Sequence, residues 1–432
     1  MSLNIPVLAS SRWLRYFVFL AYYSMQGLPL GLNMISVPAW LIAQDVPRGM
    51  VATFAAVTAL PWALKMVVGP FMDRFSFLPM GMRRPWILGT QILMLLSVLI
   101  FFFIRDPLEQ FWLMTGTCTL MNVFAASEDV AVDGLAIAII PEGERGRANA
   151  FMGAGQIFGM SIAGWISISL LNLGGFPAAA LHMIGALVVL ILITILVRER
   201  VGERYLPWTK GEANPNTIEP EKSVITLFKD LIRMSFLPMT MLLMMAVFLH
   251  RINFGIYKIW TNELGISVYG YTDEQVARWS SVIMLVTAFM GLAFGPVVDK
   301  VGAHRAYRNI LLLGCCIFIF TYPFVDVVAN PWGAILYKFI GEIGTVLLFI
   351  SYIATAMSVC SVRIASTQFA CFMAFSNLGM SAGSAIYPMV IKVTGLNGVF
   401  LFLAAGYALA FLVMTRFNLQ SHKERLAKME GH

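Results

Sequence analysis

The sequence predicts an all-α membrane protein whose twelve transmembrane helices form two pseudo-symmetric six-helix bundles. Three observations carry that prediction. Of 432 residues, 59% are hydrophobic and 12% charged, with a mean hydropathy of +0.78. A soluble chain has about 25% charged residues, and charges this sparse cannot coat a water-exposed surface. Stretches long enough to cross a bilayer, about 20 apolar residues each, alternate with short polar breaks along the whole chain. A Gly-Pro, two-apolar, acid-base motif leading into a basic loop occurs twice, with its acids at Asp73 and Asp299. The composition excludes most soluble enzyme classes. The net charge of +7 and pI near 9.2 are then properties of loops and not of a nucleic-acid surface.

Taken in order, the spans are expected at 14–43, 50–74, 85–104, 109–138, 146–173, 177–197, 237–262, 277–298, 307–326, 332–358, 363–391 and 396–416. Arg12 and Arg15 run straight into the first, which is too long for a signal-peptide core. From Arg198 to Arg233 the chain carries Glu, Lys, Pro and Asn in a pattern that no bilayer core accepts. The expected organisation is therefore an N-terminal bundle over 1–200, a linker over 201–235, a C-terminal bundle over 236–418 and a tail over 419–432. With the N-terminus in the cytoplasm, inside segments hold 22 Lys and Arg and outside segments only Arg48, Arg105, Arg278 and Lys392. That bias places both termini and the linker in the cytoplasm. A second repeat agrees with the first: Gly155 and Gly159 recur as Gly379 and Gly383, at nearly the offset that separates the two acids. Such duplicated six-helix units are expected of transporters that rock two bundles about a central site. The cysteines Cys118, Cys315, Cys316, Cys360 and Cys371 show no metal-ligand spacing and read as small core residues.

The motifs GPFMDRFSFLPMGMRRPW and GPVVDKVGAHRAYRN resemble the cytoplasmic loop signature of the major facilitator superfamily. The resemblance implies that superfamily's six-plus-six fold and a monomer. A narrower resemblance lies in GLPLGL (Gly27 to Leu32), LPWALK (Leu60 to Lys65), RRPW (Arg83 to Trp86), SEDVAVDG (Ser127 to Gly134) and GQIFG around Gln156. These look like the branch that contains AmpG-type muropeptide permeases and acetyl-coenzyme A transporters, with some siderophore transporters nearby. That branch usually has Gln-Asp where this chain has Glu128-Asp129, so an acid is added beside the family's aspartate.

An ionisable side chain at a helix centre costs on the order of 3 kcal/mol or more, so each needs a partner, water or a function. Lys65 lies roughly 22 Å into the second span, and Glu128 and Asp129 roughly 30 Å along the fourth, at about 1.5 Å per residue. Asp129 and Asp133 share a helix face and cannot both ionise cheaply there. Asp129 is the expected protonation site, assisted by Glu128 or Asp133. The competing reading makes Lys65 a mere counter-ion of Asp129 and ties Asp133 to Arg83, Arg84 or Arg145 in a gate. In the second half, Arg251 has no acid within a turn of its helix and with Lys65 is a candidate for the anionic group of a substrate. His250, Gln156, Asn377, Tyr23 and Trp62 complete that candidate set. Lys338 and Glu342, four apart, belong to it too unless they compensate each other. Asp73, Arg74, Arg83, Arg84, Asp299, Lys300 and Arg305 are the expected gate, the acids pairing with loop arginines and a helix N-terminus. Gly27, Pro29, Gly31 and Pro61 are expected to interrupt the first two spans, and the Gly-xxx-Gly pairs to pack helices closely.

The expected function is secondary active transport in a bacterial inner membrane by alternating access, coupled to protons, importing a small anionic solute such as a muropeptide. A siderophore or its metal complex, or a coenzyme A thioester, is the alternative cargo. A non-transporting assembly or lipid-handling role on the same fold is a further alternative. No catalytic constellation, metal cluster or phosphate-binding loop is seen, so neither enzyme activity nor a cofactor is expected.

Overall fold

The computed structural model describes residues 7–217, 223–267, 270–324 and 331–430. Among these, every regular element is helical. The first span is α1 (Arg12–Gly31), a π-helical segment (Leu32–Ser36) and α2 (Val37–Ala43), begun by the Ser11 hydroxyl, which accepts from the Leu14 amide at 3.4 Å. The second is α3 (Arg48–Leu64), a 3₁₀ turn at Lys65–Val67 and α4 (Gly69–Arg74). The expected interruptions at Pro29 and Pro61 are displaced. Each helix runs through its proline and changes register a few residues later, at Leu32 and Lys65. A proline deletes one amide bond of the ladder, and the neighbouring turn adjusts to satisfy the freed groups.

Next come α5 (Arg84–Leu99), extended by a 3₁₀ turn at Ile100–Phe103, α6 (Phe111–Ile139) and α7 (Arg145–Leu196). The last bends at Gly174 and Gly175, the latter with φ +65°, and so supplies two spans. After α8 (Val224–Ser235) follow α9 (Pro238–Ser267), α10 (Asp273–Val301), α11 (Ala303–Thr321) and α12 (Pro331–Val359). Then α13 (Ala365–Thr415) folds back at Gly395, and α14 (Leu419–Glu430) ends the chain. Eight helical stretches among the described residues are long and apolar enough to cross a membrane, and the glycine bends turn two of these into four. With α1–α2 and the acid-bearing α6 the arrangement has twelve spans.

The chain divides into two compact units. One holds Met1–Ile140, Phe151–Leu231 and Val362–Ala370; the other holds Pro141–Ala150, Ile232–Ser361 and Cys371–His432. The first turns of α7 and α13 thus each belong to the unit opposite from the rest of their helix. In lipid, helices gain little from burying apolar surface and associate through close van der Waals contact. In the first unit α1 lies directly on α7: a methyl group on Gly155 or Gly159 would overlap the carbonyl oxygens of Leu20 or Ser24, and one on Gly31 that of Met160. In the second unit α9 lies on α13 in the same way, Gly383 against Ile252 and Gly255 against Met380.

The linker is more ordered than its composition suggests. Leu8 and Ala9 amides donate to the Arg198 and Glu199 carbonyls at 3.0 Å. The Glu199 carboxylate accepts from the amides of Met82, Arg83 and Arg84 at 3.0, 2.8 and 2.7 Å, closing the N-terminus of α5. The described linker residues between 201 and 217 are irregular, whereas α8 is amphipathic and buries Leu227 and Met234.

Candidate functional site

Three acids stand on α6, and each has a different partner in the first unit. Asp129 forms an ion pair with Lys65, whose 3₁₀ turn brings it against α6; both side chains are 5% exposed. The Lys65 ammonium also lies 5.8 Å from the Trp62 ring centroid. Trp62 donates its indole N–H to Asn122 at 3.2 Å, and Asn122 donates to the Thr58 carbonyl at 2.8 Å, so the lysine sits on a fixed wall. Asp133, one turn beyond Asp129, accepts from the Tyr23 hydroxyl at 2.5 Å. Glu128 points to the other side of α6 and accepts from the Gln91 side-chain amide at 3.2 Å, while Gln91 accepts from Thr194 at 2.8 Å. The second Glu128 oxygen and both amide atoms of the buried Gln26 have no hydrogen-bond partner among the described residues.

The alternative bond from Asp133 to an arginine is not formed. Arg83 pairs with Asp73, and Arg145 donates to Ser358 at 2.9 Å. Arg84 is spent on backbone carbonyls: Thr194 and Ile195 at the end of α7 at 2.9 and 2.8 Å, and Arg204 and Tyr205 at 2.6 and 2.5 Å. It closes a helix C-terminus, a structural task that its place in RRPW did not disclose.

Asp73 and Asp299 each meet the start of a helix within their own unit. Asp73 accepts from the Ser366 and Thr367 amides at 3.3 and 2.8 Å and from the Thr367 hydroxyl at 2.5 Å. Asp299 accepts from the Gly146 amide at 2.6 Å and from Arg147 through its amide (3.2 Å) and Nε (2.6 Å). Free amides and the helix dipole favour an anion at both places. Arg74 stacks on Phe75, 5.0 Å from its centroid, and Lys300 and Arg305 are exposed.

In the second unit Arg251 is 8% exposed and has no carboxylate partner among the described residues. Its Nε donates to the Ser376 carbonyl at 3.4 Å, and its guanidinium lies 4.7 Å from the Phe254 centroid. His250 shares a hydrogen bond of 3.2 Å with the Tyr307 hydroxyl and has its ring edge-on to Tyr352, whose hydroxyl meets Ser376 at 3.2 Å. Lys338 forms no ion pair with Glu342: it donates across to Asn262 on α9 at 2.9 Å, an uncharged partner from another helix. Gln156 and Asn377 are half-buried and their side-chain amides make no hydrogen bond to a described residue.

Gln91, Thr194, Gln26, Tyr307, Tyr352 and Ser376 were not singled out from the sequence. An amide inside an apolar run, as at Gln91 in ILGTQILML, is the one available signal. A hydroxyl is too common in apolar helices, where it bonds its own backbone, to be informative alone.

A family model described as Major Facilitator Superfamily matches residues 17–384. The anhydromuropeptide permease of Escherichia coli (strain K12) is 22% identical over 427 residues, covering 95% of this chain and 83% of the permease. The putative transporter AmpG 4 of Rickettsia conorii is 23% identical over 401 residues, covering 88% and 90%. Among solved structures, the E. coli fucose:proton symporter superposes with a TM-score of 0.67 at 11% identity, covering 93% of this chain and 98% of that one. The human organic anion transporter MFSD10 does so with 0.65 at 13%, covering 93% and 99%. At these identities the two structures speak for the fold alone.

Proposed function

Because the chain belongs to the Major Facilitator Superfamily, we propose that it is a proton-coupled secondary active transporter that imports an anionic solute of the muropeptide class across a bacterial inner membrane. The observation that carries this reading is a buried charge excess of opposite sign in each unit. The first buries Glu128, Asp129 and Asp133 on α6, with Lys65 paired to Asp129; the second buries Arg251 with no carboxylate partner among the described residues. Uncompensated charge in a low-dielectric interior is costly, and a bound ligand of opposite charge relieves it. A proton is the smallest ligand that relieves the acids, and a carboxylate or phosphate is the natural one for a guanidinium.

In this reading Asp129 takes the proton. Its loss of charge weakens the ion pair with Lys65, whose ammonium can then turn toward the solute, and Asp133 with Tyr23 passes the proton onward. Asp73 and Asp299, set on helix N-termini, act as latches that bias alternating access without touching solute. The likeness to the E. coli permease supports the choice of a muropeptide, and the lysine and arginine bias supports cytoplasmic termini.

Proteoliposomes with an imposed pH gradient test the proposal with radiolabelled anhydromuropeptide, a ferric siderophore and a coenzyme A thioester in parallel. Uptake of the muropeptide alone, driven by the gradient and lost in Asp129→Asn, is the expected result. Uptake that survives collapse of the gradient removes the coupling; uptake of another solute instead removes the cargo assignment.

A further inference from the structure

Away from the buried acids, the N-terminal end of α11 forms a basic pocket of about 390 Å³ in the second unit. His304, Arg305 and Arg308 line one side, from the first two turns of α11. Phe417, Asn418, Leu419, Gln420 and Lys423 line the other, from the junction of α13 and α14. No acid among the described residues lines it, and neither Arg305 nor Arg308 makes an ion pair with a described residue. Lys423 is the exception among its cations, shared with Glu142 at 2.5 Å. Two helices begin here, α11 and α14, and both turn their positive ends to the same space. The Asn418 side chain accepts from the Ser421 amide at 3.1 Å as the cap of α14, and the buried Phe417 ring lies 5.9 Å from His304 and forms an apolar floor.

We infer that this pocket holds the phosphate of an anionic membrane lipid. Three cationic side chains, an imidazole and two helix N-termini are the chemistry that binds phosphate, and an arginine fork matches its oxygens. The acyl part of the ligand follows from α11 itself. Arg305, Asn309, Leu312, Cys316 and Ile319 fall on one face at helical spacing, and beyond the asparagine that face is exposed and apolar, with Leu312 43% and Ile319 53% exposed. A free phosphate would use only the pocket; a phospholipid uses the pocket and the stripe that descends from it. Basic pockets at the edge of membrane helices are where lipid headgroups of this charge are taken up.

The test is lipid retention by the full-length protein. Protein purified in a mild detergent and mixed with equal amounts of phosphatidylglycerol and phosphatidylcholine is examined by native mass spectrometry, with and without 10-fold excess inorganic phosphate. Wild type is expected to retain phosphatidylglycerol preferentially and to keep it against the phosphate. The doubly substituted Arg305→Gln, Arg308→Gln protein is expected to bind it about thirtyfold more weakly, since each charge near an anionic headgroup is worth roughly a factor of five. Arg305→Lys with Arg308→Lys, which keeps the charges, is expected to retain most of the preference and so to separate lost binding from lost folding. Equal retention of the two lipids by wild type, or retention unchanged in the glutamine protein, overturns the inference. Displacement of the lipid by inorganic phosphate assigns the pocket to a soluble phosphate instead.

Discussion

The helices α1 and α9 occupy corresponding places in their units and do different chemistry. Gly27 and Gly255, which let them close on α7 and α13, are equivalent positions of the repeat, and the same offset sets Tyr23 against Arg251 and Tyr22 against His250. A neutral phenol that donates to Asp133 thus stands where the other unit has an unpaired guanidinium. The α6 acids have no counterparts either: at the offset that relates Asp73 to Asp299, Glu128 and Asp129 fall on Ala354 and Thr355. The contact surfaces of the duplicated unit are repeated and its buried polar groups are not. Backbone contact leaves no room for change, whereas a buried polar side chain can be replaced if its charge is balanced locally.

Unbalancing the charge of one unit is expected to have the largest effect. Asp129→Ala removes the carboxylate that Lys65 pairs with in a buried site and is expected to cost about 3–5 kcal/mol, measured by thermal unfolding in detergent. Lys65→Met combined with Asp129→Leu should recover most of that loss. A double substitution no more stable than the single one would mean that the pair is not the energetic centre of the first unit.

The repeated packing predicts equal damage on both sides. Gly159→Val and Gly383→Val each push a side chain into a carbonyl oxygen and are expected to cost about 1–3 kcal/mol or more in overpacking. If only one of them destabilises, the correspondence of α1 and α9 is superficial. In the second unit, Arg251→Lys keeps the charge but loses the planar fork, and the KM for the anionic solute should rise about tenfold with stability little changed. An unaltered KM would take Arg251 out of solute binding.

Two smaller effects belong to the first unit. Tyr23→Phe removes one hydrogen bond to Asp133, about 1 kcal/mol, and should move the pH profile of uptake while leaving KM alone; an unmoved profile would separate Asp133 from proton transfer. In the linker, burial first and the neighbouring Glu199 next push the Glu203 carboxyl up to about 7. A carboxyl raised in the folded state holds its proton longer there than in the unfolded chain. Its contribution is therefore present below the ordinary carboxylate range and lost as pH rises to about 7. Protection factors over residues 199–212, corrected for base-catalysed intrinsic exchange, should fall across that window in wild type and stay level in Glu203→Gln.

Spans and repeats were legible because each rests on a local property: a length of apolar chain, or a glycine where nothing larger fits. The acids on α6 were legible for the same reason, since any charge in such a run stands out. What a charge touches was not. Lys338 chose Asn262 over the residue four positions on, and Arg84 took carbonyls more than a hundred residues away. Nor did the sequence disclose α8 or the tail helix, whose mixed composition reads as loop until a surface is there to receive one face. Glu203 and Gln91 matter through neighbours that only the fold supplies.

The exchange of first turns between the units also sets an order of events during synthesis. Gly146 and Arg147 have already been made when Asp299 leaves the ribosome, so its partners are waiting. Asp73 must wait for Thr367, 294 residues later. At about 5–20 residues per second that delay is roughly 15–60 s, during which Arg83 alone neutralises an acid already entering the bilayer. The second arginine-rich loop can form its contacts on arrival, but the first has to be held ready. A ribosome stalled short of residue 366 would therefore carry a first bundle with one fully buried carboxylate, Asp73, still short of its amide donors.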